Sequence, residues 1–313
     1  MKPVLYVVRT LPEARLEPLR ELFEIRGNAS RPPPREALLA EARDAEVVAL
    51  TYLDPVDEPL LAALPRLRHL ASYGVGVNHI DLAACRARGV VVTNTPGVVT
   101  NATADMTMAL LLAAARRVVE GDRVVRAGGW TEVDPSWMLG SEVTGKILGL
   151  IGFGRIGQAV ARRATGFELR ILYASPREAS FPGAQRVSLE ELLSRSDFVS
   201  VHTPLTPATE NLLSRERIFA MKKGAVLVNT ARGPVVDDQA LAEALAKGHL
   251  AAAGLDVFRD EPRVPHVFQG LANVVLTPHL GSGSRETRAA MARMVLEEIE
   301  RMAQGLEPRY RVV

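Results

Sequence analysis

Residues 146–157, Lys-Ile-Leu-Gly-Leu-Ile-Gly-Phe-Gly-Arg-Ile-Gly, form an apolar run that ends in a glycine-rich turn. The run is typical of a buried strand, and the residues after it, Gln158–Ala164, have the pattern of a helix. The pattern Gly-x-Gly-x-x-Gly alone is weak, because loops produce it by chance, but between a strand and a helix it is typical of dinucleotide binding. Gly152 permits the tight turn, Gly154 lets the backbone approach a pyrophosphate, and Gly157 allows the helix to pack on the strand.

The backbone of this turn is the first candidate binding site. We expect Phe153, Gly154, Arg155 and Ile156 to contact a dinucleotide. The amides of Arg155 and Ile156 should face its phosphates, because a helix N-terminus presents unpaired N–H groups to anions. A plain glycine turn without a ligand is the alternative.

The residue that contacts the adenosine ribose is expected about 20 residues further on, at the end of the next strand. Here the strand Ile171–Ala174 is followed by Ser175-Pro176-Arg177. An acidic side chain at this place accepts a hydrogen bond from the ribose 2′-hydroxyl, whereas a hydroxyl and an arginine suit a 2′-phosphate. The sequence therefore favours NADP(H) over NAD(H). Alternatively, Arg177 is a solvated loop residue and Ser175 merely tolerates NAD(H).

Short β-branched runs alternate with helical patterns on both sides of the motif, an order typical of parallel sheets covered by helices on both faces. The strands predicted before the motif are Val4–Val8, Val47–Leu50, Leu67–Ser72 and Val90–Thr93, separated by helices predicted at Pro12–Ile25, Glu36–Arg43, Glu58–Leu64 and Leu82–Arg88. The strands predicted from the motif onward are Ile147–Ile151, Arg170–Tyr173, Phe198–His202, Ala225–Asn229, Ala251–Leu255 and Val274–Thr277.

A long predicted helix, Thr103–Val119, precedes the second group of strands, and another, Arg285–Gln304, follows it. A chain of 313 residues suggests two domains at about 150 residues each. The final helix is long enough to return to the first domain, which would make that domain discontinuous. We therefore predict an α/β protein with two parallel sheets. A Rossmann dinucleotide-binding domain at residues 98–284 is inserted in a flavodoxin-like substrate domain at residues 1–97 and 285–313.

Composition excludes several classes of protein. With 47% hydrophobic residues the chain is too apolar to be disordered, and a net charge of +2 provides no strong field for nucleic acid or an anionic membrane. The single cysteine, Cys85, excludes an internal disulfide and suits a reducing compartment. We expect neither a signal peptide, a membrane span nor a metal site, because no matching pattern occurs. The prediction is a cytoplasmic protein with a small-molecule substrate.

Charged side chains follow three predicted strands of the second group, namely Arg232, Glu261 and His279. The carboxyl ends of parallel strands share one edge of a sheet, where open α/β sheets bind ligands. An arginine can bind a carboxylate and a carbonyl, a histidine can transfer a proton near neutral pH, and a carboxylate can keep that histidine protonated. Each of these residue types alone is more often structural, and spacing does not favour His279 over His202 or His266.

Further motifs occur along the chain at Gly74–Asp81, Asn94–Gly97, Thr103–Asp105, His202–Leu205, Asn229–Gly233, Asp256–Pro262 and Pro278–Ser282. In this combination and order, together with the glycine turn, they resemble the D-isomer-specific 2-hydroxyacid dehydrogenases over essentially the whole chain. The resemblance implies a homodimer in which two domains enclose each active site.

The resemblance also implies roles for individual residues. It assigns Arg232 to substrate binding and carbonyl polarisation, His279 to acid–base catalysis, and Glu261 to keeping that histidine protonated. It places the amides of Val75 and Gly76 at the substrate carboxylate. The further residues that it places at the cofactor are Thr103, Thr203, Pro204, Thr209, Thr230, Ala231, Arg232, Asp256, His279 and Gly281.

Within the family, Gly129–Thr131, Pro135–Trp137 and Leu205–Glu210 most resemble the glyoxylate/hydroxypyruvate reductases. In that branch a tryptophan of this segment reaches the partner's active site, which implies substrate binding by Trp137; packing within the dimer is the alternative. The predicted reaction is NAD(P)H-dependent reduction of glyoxylate or hydroxypyruvate to the D-2-hydroxy acid, with His279 as proton donor. The alternatives are a dehydrogenase for D-lactate or 3-phosphoglycerate, and a dinucleotide-sensing protein similar to the corepressors of the superfamily.

Overall fold

The structure is a computed structural model and describes residues 2–313. Its β-strands in chain order are β1 (Val4–Val7), β2 (Glu24–Gly27), β3 (Ala45–Thr51), β4 (His69–Tyr73), β5 (Val91–Thr93), β6 (Ile147–Ile151), β7 (Arg170–Ala174), β8 (Ala184–Arg186), β9 (Phe198–Val201), β10 (Val226–Asn229), β11 (Ala252–Leu255) and β12 (Val274–Leu276). Its α-helices are α1 (Arg35–Glu41), α2 (Glu58–Ala63), α3 (Leu82–Ala87), α4 (Thr100–Ala115), α5 (Val118–Arg126), α6 (Arg155–Ala164), α7 (Leu189–Arg195), α8 (Arg215–Phe219), α9 (Asp238–Ala246) and α10 (Arg285–Ala303).

The chain divides into two compact units. The first comprises residues up to Val99 together with Gly283–Val313, and the second is the continuous segment Thr100–Ser282. Each unit contains one sheet in which every strand pair is parallel.

The sheet of the first unit has the strand order β2-β1-β3-β4-β5, the order of flavodoxin-like folds. Apolar clusters cover both of its faces. On one face, Met291 and Val295 of α10 pack with Leu5 and Ala49 of the strands. Because both faces are covered, the residues of β3 and β4 are buried almost without interruption rather than at alternating positions.

The sheet of the second unit has the strand order β12-β11-β10-β9-β6-β7-β8. This is the Rossmann order with β12 added at one edge, and the order of the strands reverses between β6 and β9. Helix α4 packs closely on β11, because a Cβ at Gly254 would lie 2.9 Å from the Cβ of Leu110. The predicted fold class, α/β with two parallel sheets, is confirmed.

Several helices begin at a residue whose side chain accepts a hydrogen bond from a free N–H group of the first turn. Asp57 accepts a hydrogen bond from the amide of Leu60, Asp81 from that of Ala84, Ser188 from that of Glu191, Asp237 from that of Ala240, and Ser284 from that of Thr287. These caps fix where the chain turns from a loop into a helix, and therefore the lengths of the loops that follow each strand.

The predicted helix Pro12–Ile25 is wrong. The structure has a short 3-10 turn at Glu17–Glu21, followed by the strand β2. β2 lies at the edge of the sheet, pairs only with β1, and has mostly polar, partly exposed side chains. Its sequence therefore lacks a strand pattern, and the backbone pairing with β1 outweighs the local helical periodicity. The edge strand β8 was missed for the same reason.

The predicted single helix Thr103–Val119 is also wrong at its C-terminal end. Helix α4 ends at Ala115, and Arg117 adopts a left-handed conformation (φ +55°) before α5 begins at Val118. A left-handed residue cannot continue a right-handed helix, so the apolar pattern of the sequence runs across two helices. Within residues 2–313, no helix combines the length and the apolar character that crossing a membrane requires.

Candidate active site

The glycine-rich turn joins β6 to α6 at the centre of the larger sheet. Gly152 has a left-handed backbone (φ +90°), and a Cβ at this position would lie 2.7 Å from the carbonyl oxygen of His202. A Cβ at Gly157 would overlap the carbonyl oxygen of Gly152, so α6 can approach the turn this closely only because both residues are glycine. The turn lies where the strand order reverses, the place at which open α/β sheets bind ligands.

The start of α6 presents backbone N–H groups. Within the described residues 2–313, the amides of Gly154, Arg155 and Ile156 donate to no acceptor, and the first hydrogen bond of the helix runs from Gln158 to the carbonyl of Gly154 at 3.0 Å. Gly154 is exposed, with open space where a side chain would lie. This arrangement suits an anionic group such as a pyrophosphate. Phe153 differs, because its side chain is buried and stacks on Tyr173, with ring centroids 4.1 Å apart. It can reach a cofactor only through its backbone.

Three neighbouring strands, β10, β11 and β12, end at the same edge of the larger sheet as β6. The loops that follow them carry Arg232, Glu261 and His279. The topology therefore brings together in one unit the three charged residues that the sequence singled out.

The loop that carries His279 is held by Asp256, which follows β11 and is fully buried. One carboxylate oxygen of Asp256 accepts hydrogen bonds from the Thr277 hydroxyl at 2.6 Å and the Leu280 amide at 2.7 Å, and the other accepts from the Gly281 amide at 2.7 Å. The His279 amide also donates to the Asp256 carbonyl oxygen at 2.9 Å. These contacts stabilise the left-handed conformation of His279 (φ +54°), which is uncommon for a residue with a side chain.

The side chain of His279 is paired with Glu261. Its Nδ1 atom lies 2.6 Å from Oε2 of Glu261, whose Oε1 accepts a hydrogen bond from the Phe258 amide at 3.0 Å. Burial by itself would raise the pKa of Glu261. The hydrogen bond to His279, the charges of His279 and Arg232, and the Phe258 amide more than offset this effect and hold the pKa below its ordinary value. Glu261 is therefore a charged carboxylate at neutral pH, in contact with the imidazole.

The other two candidate histidines lack these properties. His202 also follows a strand, but its Nε2 pairs with the Ser200 hydroxyl at 2.9 Å, and burial lowers the pKa of His202 to about 3. It stays neutral at physiological pH. His266 is exposed, and its Nδ1 lies 3.3 Å from the Oε1 atom of Gln269. Spacing did not distinguish the three histidines, whereas carboxylate pairing separates His279 from the others.

Arg232 lies on a loop that its own residues fix. The side-chain amide of Asn229 donates to the Arg232 carbonyl oxygen at 2.9 Å, and its oxygen accepts from the Ala231 amide at 3.0 Å. The next residue, Gly233, contacts the neighbouring loop so closely that a Cβ there would overlap the carbonyl carbon of Phe258. Asn229 and Gly233 belong to a motif that the sequence singled out, but no supporting role was predicted for them. A polar side chain at the buried end of a strand was the available signal.

Other predicted cofactor residues line the same edge. Thr103 on α4 is buried next to Gly281, where an added Cβ would lie 3.5 Å from the Thr103 hydroxyl. The Thr107 hydroxyl donates to the Thr103 carbonyl oxygen at 2.8 Å and pairs with the Thr230 hydroxyl at 2.9 Å.

The Thr209 hydroxyl donates to the Pro204 carbonyl oxygen at 2.6 Å and accepts from the Thr206 amide at 2.8 Å. Thr209 thus holds the loop of Thr203 and Pro204 in shape.

The residues predicted at the ribose follow β7 directly. Ser175 is half-buried, whereas Pro176 and Arg177 are exposed. Arg186 of the adjacent strand β8 donates to the Pro176 carbonyl oxygen at 3.0 Å and so supports this turn. Because Arg177 is exposed directly after β7, its guanidinium can reach an anionic ligand.

In the first unit, the predicted carboxylate-binding amides of Val75 and Gly76 lie in the loop after β4. Val75 is 37% exposed. Asn94, which follows the neighbouring strand β5, donates from its side-chain amide to the Val75 carbonyl oxygen at 2.8 Å. The sequence placed Asn94 in a motif without giving it a role.

Trp137 lies in the second unit with its side chain 43% exposed. It belongs to a segment, residues 118–139, that has several exposed apolar side chains: Val118, Val125, Trp130, Val133, Trp137 and Leu139.

Comparison with known proteins agrees with this geometry. Residues 108–281 match the family model of the D-isomer specific 2-hydroxyacid dehydrogenase NAD binding domain. A glyoxylate reductase from Korarchaeum cryptofilum is 47% identical, with 98% of this chain and 95% of that protein covered.

Two crystal structures give the same result. The TT0316 protein from Thermus thermophilus is 48% identical and superposes with a TM-score of 0.94, with 99% of each chain covered. An NADPH-dependent glyoxylate/hydroxypyruvate reductase from Sinorhizobium meliloti, in complex with citrate, is 32% identical with a TM-score of 0.88, covering 100% of this chain and 98% of that one.

The family model covers more than half of the chain, and the relatives match it over nearly its whole length. The family that the sequence motifs predicted is thereby confirmed. This chain belongs to the D-isomer-specific 2-hydroxyacid dehydrogenases and is an oxidoreductase that uses a nicotinamide dinucleotide.

Proposed function

We propose that this protein reduces glyoxylate and hydroxypyruvate. One 2-oxo acid, one NAD(P)H and one proton give one 2-hydroxy acid and one NAD(P)⁺, so that hydroxypyruvate yields D-glycerate. The relatives with glyoxylate reductase names support these substrates. The observation that carries the proposal is the contact of 2.6 Å between His279 and Glu261, on the sheet edge where the glycine turn also lies.

The glycine turn fits a dinucleotide. Positions 152 and 157 leave no room for a side chain, and the amides at the start of α6 are available to its phosphates. The residues that would hold the cofactor here are Phe153, Gly154, Arg155 and Ile156. When bound, the reduced nicotinamide supplies the hydride. We assign the dinucleotide to a domain at residues 98–284 and the substrate to a domain at residues 1–97 and 285–313.

Arg232 and the amides of Val75 and Gly76 bind the substrate. The guanidinium forms paired hydrogen bonds with a carboxylate and polarises the adjacent carbonyl. As the carbonyl carbon is reduced, negative charge develops on its oxygen, and Arg232 stabilises that charge. The two amides fix the carboxylate, so the carbonyl has one orientation.

His279 supplies the proton. Because Nδ1 is paired with Glu261, Nε2 is the atom that donates to the carbonyl oxygen. The charged carboxylate of Glu261 stabilises the imidazolium before the transfer. In the reverse direction the neutral imidazole accepts the proton of the substrate hydroxyl.

We further propose a preference for NADPH. No acidic residue stands between Ala174 and Arg177, and the exposed Arg177 can form an ion pair with a 2′-phosphate. The structural relative from S. meliloti is described as NADPH-dependent, which supports this preference.

We also propose that the protein is a homodimer and that residues 118–139 contribute to the interface. Exposed apolar side chains concentrated in one segment are typical of a surface that another protein covers. Trp137 lies in this segment and is the candidate to contact the partner's substrate. Light scattering on the purified protein should give twice the mass of 33.9 kDa, and a Val133→Glu variant should shift the mass toward the monomer.

The assay that tests the reaction follows the oxidation of NADH and of NADPH with glyoxylate, hydroxypyruvate, pyruvate and phosphohydroxypyruvate. We expect the highest kcat/KM with glyoxylate or hydroxypyruvate and NADPH. A His279→Ala variant should retain cofactor binding and lose most turnover. If pyruvate or phosphohydroxypyruvate is the better substrate, the substrate assignment is wrong. If the cofactor binds but no 2-oxo acid is reduced, the chain is a sensor rather than an enzyme.

A further inference from the structure

The loop after β4 contains the N–H groups of Val75 and Gly76. Hydrogen bonds from the residues that follow the neighbouring strand β5 fix the direction of both groups. The amide of Thr95 donates to the carbonyl oxygen of Gly74 at 3.0 Å. The side-chain amide of Asn94 donates to the carbonyl oxygen of Val75 at 2.8 Å. Two consecutive carbonyl groups of the loop are thus held by two consecutive residues beyond β5.

These hydrogen bonds also determine where the amides point. A trans peptide unit is planar, and its C=O and N–H groups point in opposite directions. The Gly74 carbonyl shares its peptide unit with the Val75 N–H, and the Val75 carbonyl shares its unit with the Gly76 N–H. Holding the two oxygens therefore directs the two N–H groups to the opposite side of the loop. Neither N–H donates to an acceptor within the described part of the chain, residues 2–313.

The two hydrogen bonds differ in how they can be removed. The donor at Thr95 belongs to the backbone, and Thr95 is fully buried. The donor at Asn94 is a side chain, so the Val75–Gly76 peptide unit keeps its orientation only while that side chain is an amide. Without the hydrogen bond from Asn94, this peptide unit can rotate, and the Gly76 N–H then no longer points toward the substrate carboxylate.

Asn94 itself is held in place at the end of β5. Its backbone amide donates to the carbonyl oxygen of Tyr310 at 3.2 Å. The residues after Tyr310 run antiparallel to β5, and the amide of Val312 donates to the carbonyl oxygen of Val92 at 2.7 Å. The side chain of Asn94 therefore projects from a backbone that is paired on the outer side of the sheet as well.

We propose that Asn94 is a positioning residue for the substrate carboxylate: it orients the Gly76 N–H by holding the Val75 carbonyl. This inference rests on the proposed function, in which the amides of Val75 and Gly76 bind that carboxylate. Asn94 acts on binding and has no part in proton transfer. Its loss therefore raises KM and leaves the chemical step in place.

The variants that test this role are Asn94→Ala and Asn94→Asp. The second has the shape of asparagine and lacks the donor when ionised, so it serves if the alanine variant folds poorly. The matched control is Asn273→Ala. Asn273 is similarly half-buried, and its side chain likewise donates to a backbone carbonyl, that of Ala251 at 3.1 Å, at the opposite end of the strands in the second unit.

We expect KM for glyoxylate, and the inhibition constant of the unreactive analogue oxamate, to rise about tenfold in both Asn94 variants, as for a weakened hydrogen bond to a charged group. The dissociation constant of NADPH should stay at the wild-type value, because the carboxylate loop is not part of the proposed dinucleotide site. The kcat value should change much less than KM, because Asn94 has no part in proton transfer. The Asn273 control should match the wild type in all four quantities.

The inference is overturned if both Asn94 variants keep the wild-type KM and oxamate inhibition, or if kcat falls while KM stays constant. Failure of the proposed function is separate, because it shows in the wild type as a lack of turnover with either 2-oxo acid. In that case, calorimetric titration of oxamate in the presence of NADPH still tests Asn94. The inference then requires that the wild type bind oxamate and that the Asn94 variants bind it about tenfold more weakly.

Discussion

Nδ1 of His279 lies 2.6 Å from Oε2 of Glu261, and the two side chains are only 21% and 19% exposed. The other oxygen of the carboxylate accepts a hydrogen bond from the Phe258 amide, so both oxygens of Glu261 have a hydrogen-bond partner. Burial alone would raise the pKa of Glu261, but its hydrogen bonds and the nearby positive charges lower it below the ordinary value. The pair therefore keeps a negative charge beside the imidazole over the neutral pH range.

A Glu261→Gln variant should lose this charge and keep the shape of the site, including an acceptor for the Phe258 amide. Because the negative charge that faces the imidazole is then absent, the hydrogen bond between the two side chains is no longer charge-assisted. We expect kcat/KM for reduction to fall about tenfold or more, while the dissociation constant of NADPH stays at the wild-type value. A kcat/KM equal to that of the wild type would show that Glu261 has no such role.

The larger features of the fold could be predicted from the sequence because local chemistry determines them. Only glycine fits at positions 152 and 157, and buried parallel strands such as β10 require continuous apolar runs. The edge strands β2 and β8 could not be predicted in this way. Their side chains are mostly polar, and pairing with a distant strand is what makes them strands.

The site was predictable in its residue types and not in its contacts. Strand order brings Arg232, Glu261 and His279 to one edge, and the resemblance to a family assigned their roles. Which histidine is paired with a carboxylate depends on distances across loops that are 18 residues apart in sequence. The hydrogen bond from Asn94 to Val75 spans 19 residues, and sequence spacing carries no signal for it.

The buried side chain of His69 should make the stability of the fold depend on pH. It is buried on β4 with Nε2 at 2.9 Å from the Thr93 hydroxyl, and burial lowers the pKa of His69 to about 4 from its ordinary value of 6.5. Between these two values the unfolded chain binds a proton that the folded chain does not, so stability falls as the pH drops from 6.5 to 4. At about 1.4 kcal/mol per pKa unit, His69 contributes on the order of 3 kcal/mol to this loss.

Replacing His69 with glutamine should therefore reduce the difference between the urea midpoints measured at pH 7 and at pH 4.5. The exposed His266, replaced in the same way, should leave that difference unchanged. An equal pH dependence in the His69→Gln variant and the wild type would contradict the assignment.

The close packing of Gly233 against the loop of Phe258 and Arg259 should affect catalysis. An added Cβ would overlap the carbonyl carbon of Phe258 and the amide nitrogen of Arg259, which are backbone atoms that cannot rotate away. A Gly233→Ala variant should separate the loop of Arg232 from the loop that orients Glu261. It should lower kcat and destabilise the fold by about 1–3 kcal/mol. Gly270→Ala is the matched control, since open space surrounds that position. If the Gly233 variant keeps the wild-type kcat, close contact between the two loops is not required for catalysis.

Arg177 determines the cofactor preference if its guanidinium contacts a 2′-phosphate. It is exposed directly after β7, and the turn that carries it is supported by the hydrogen bond from Arg186 to Pro176. An Arg177→Ala variant should raise KM for NADPH about tenfold, the loss expected for one charge-assisted hydrogen bond, and leave KM for NADH unchanged. Arg162, an exposed arginine in the last turn of α6, is the control, and its replacement by alanine should alter neither KM. Equal changes with both cofactors would place Arg177 outside the phosphate site, and a wild-type preference for NADH would remove the reason for an arginine there.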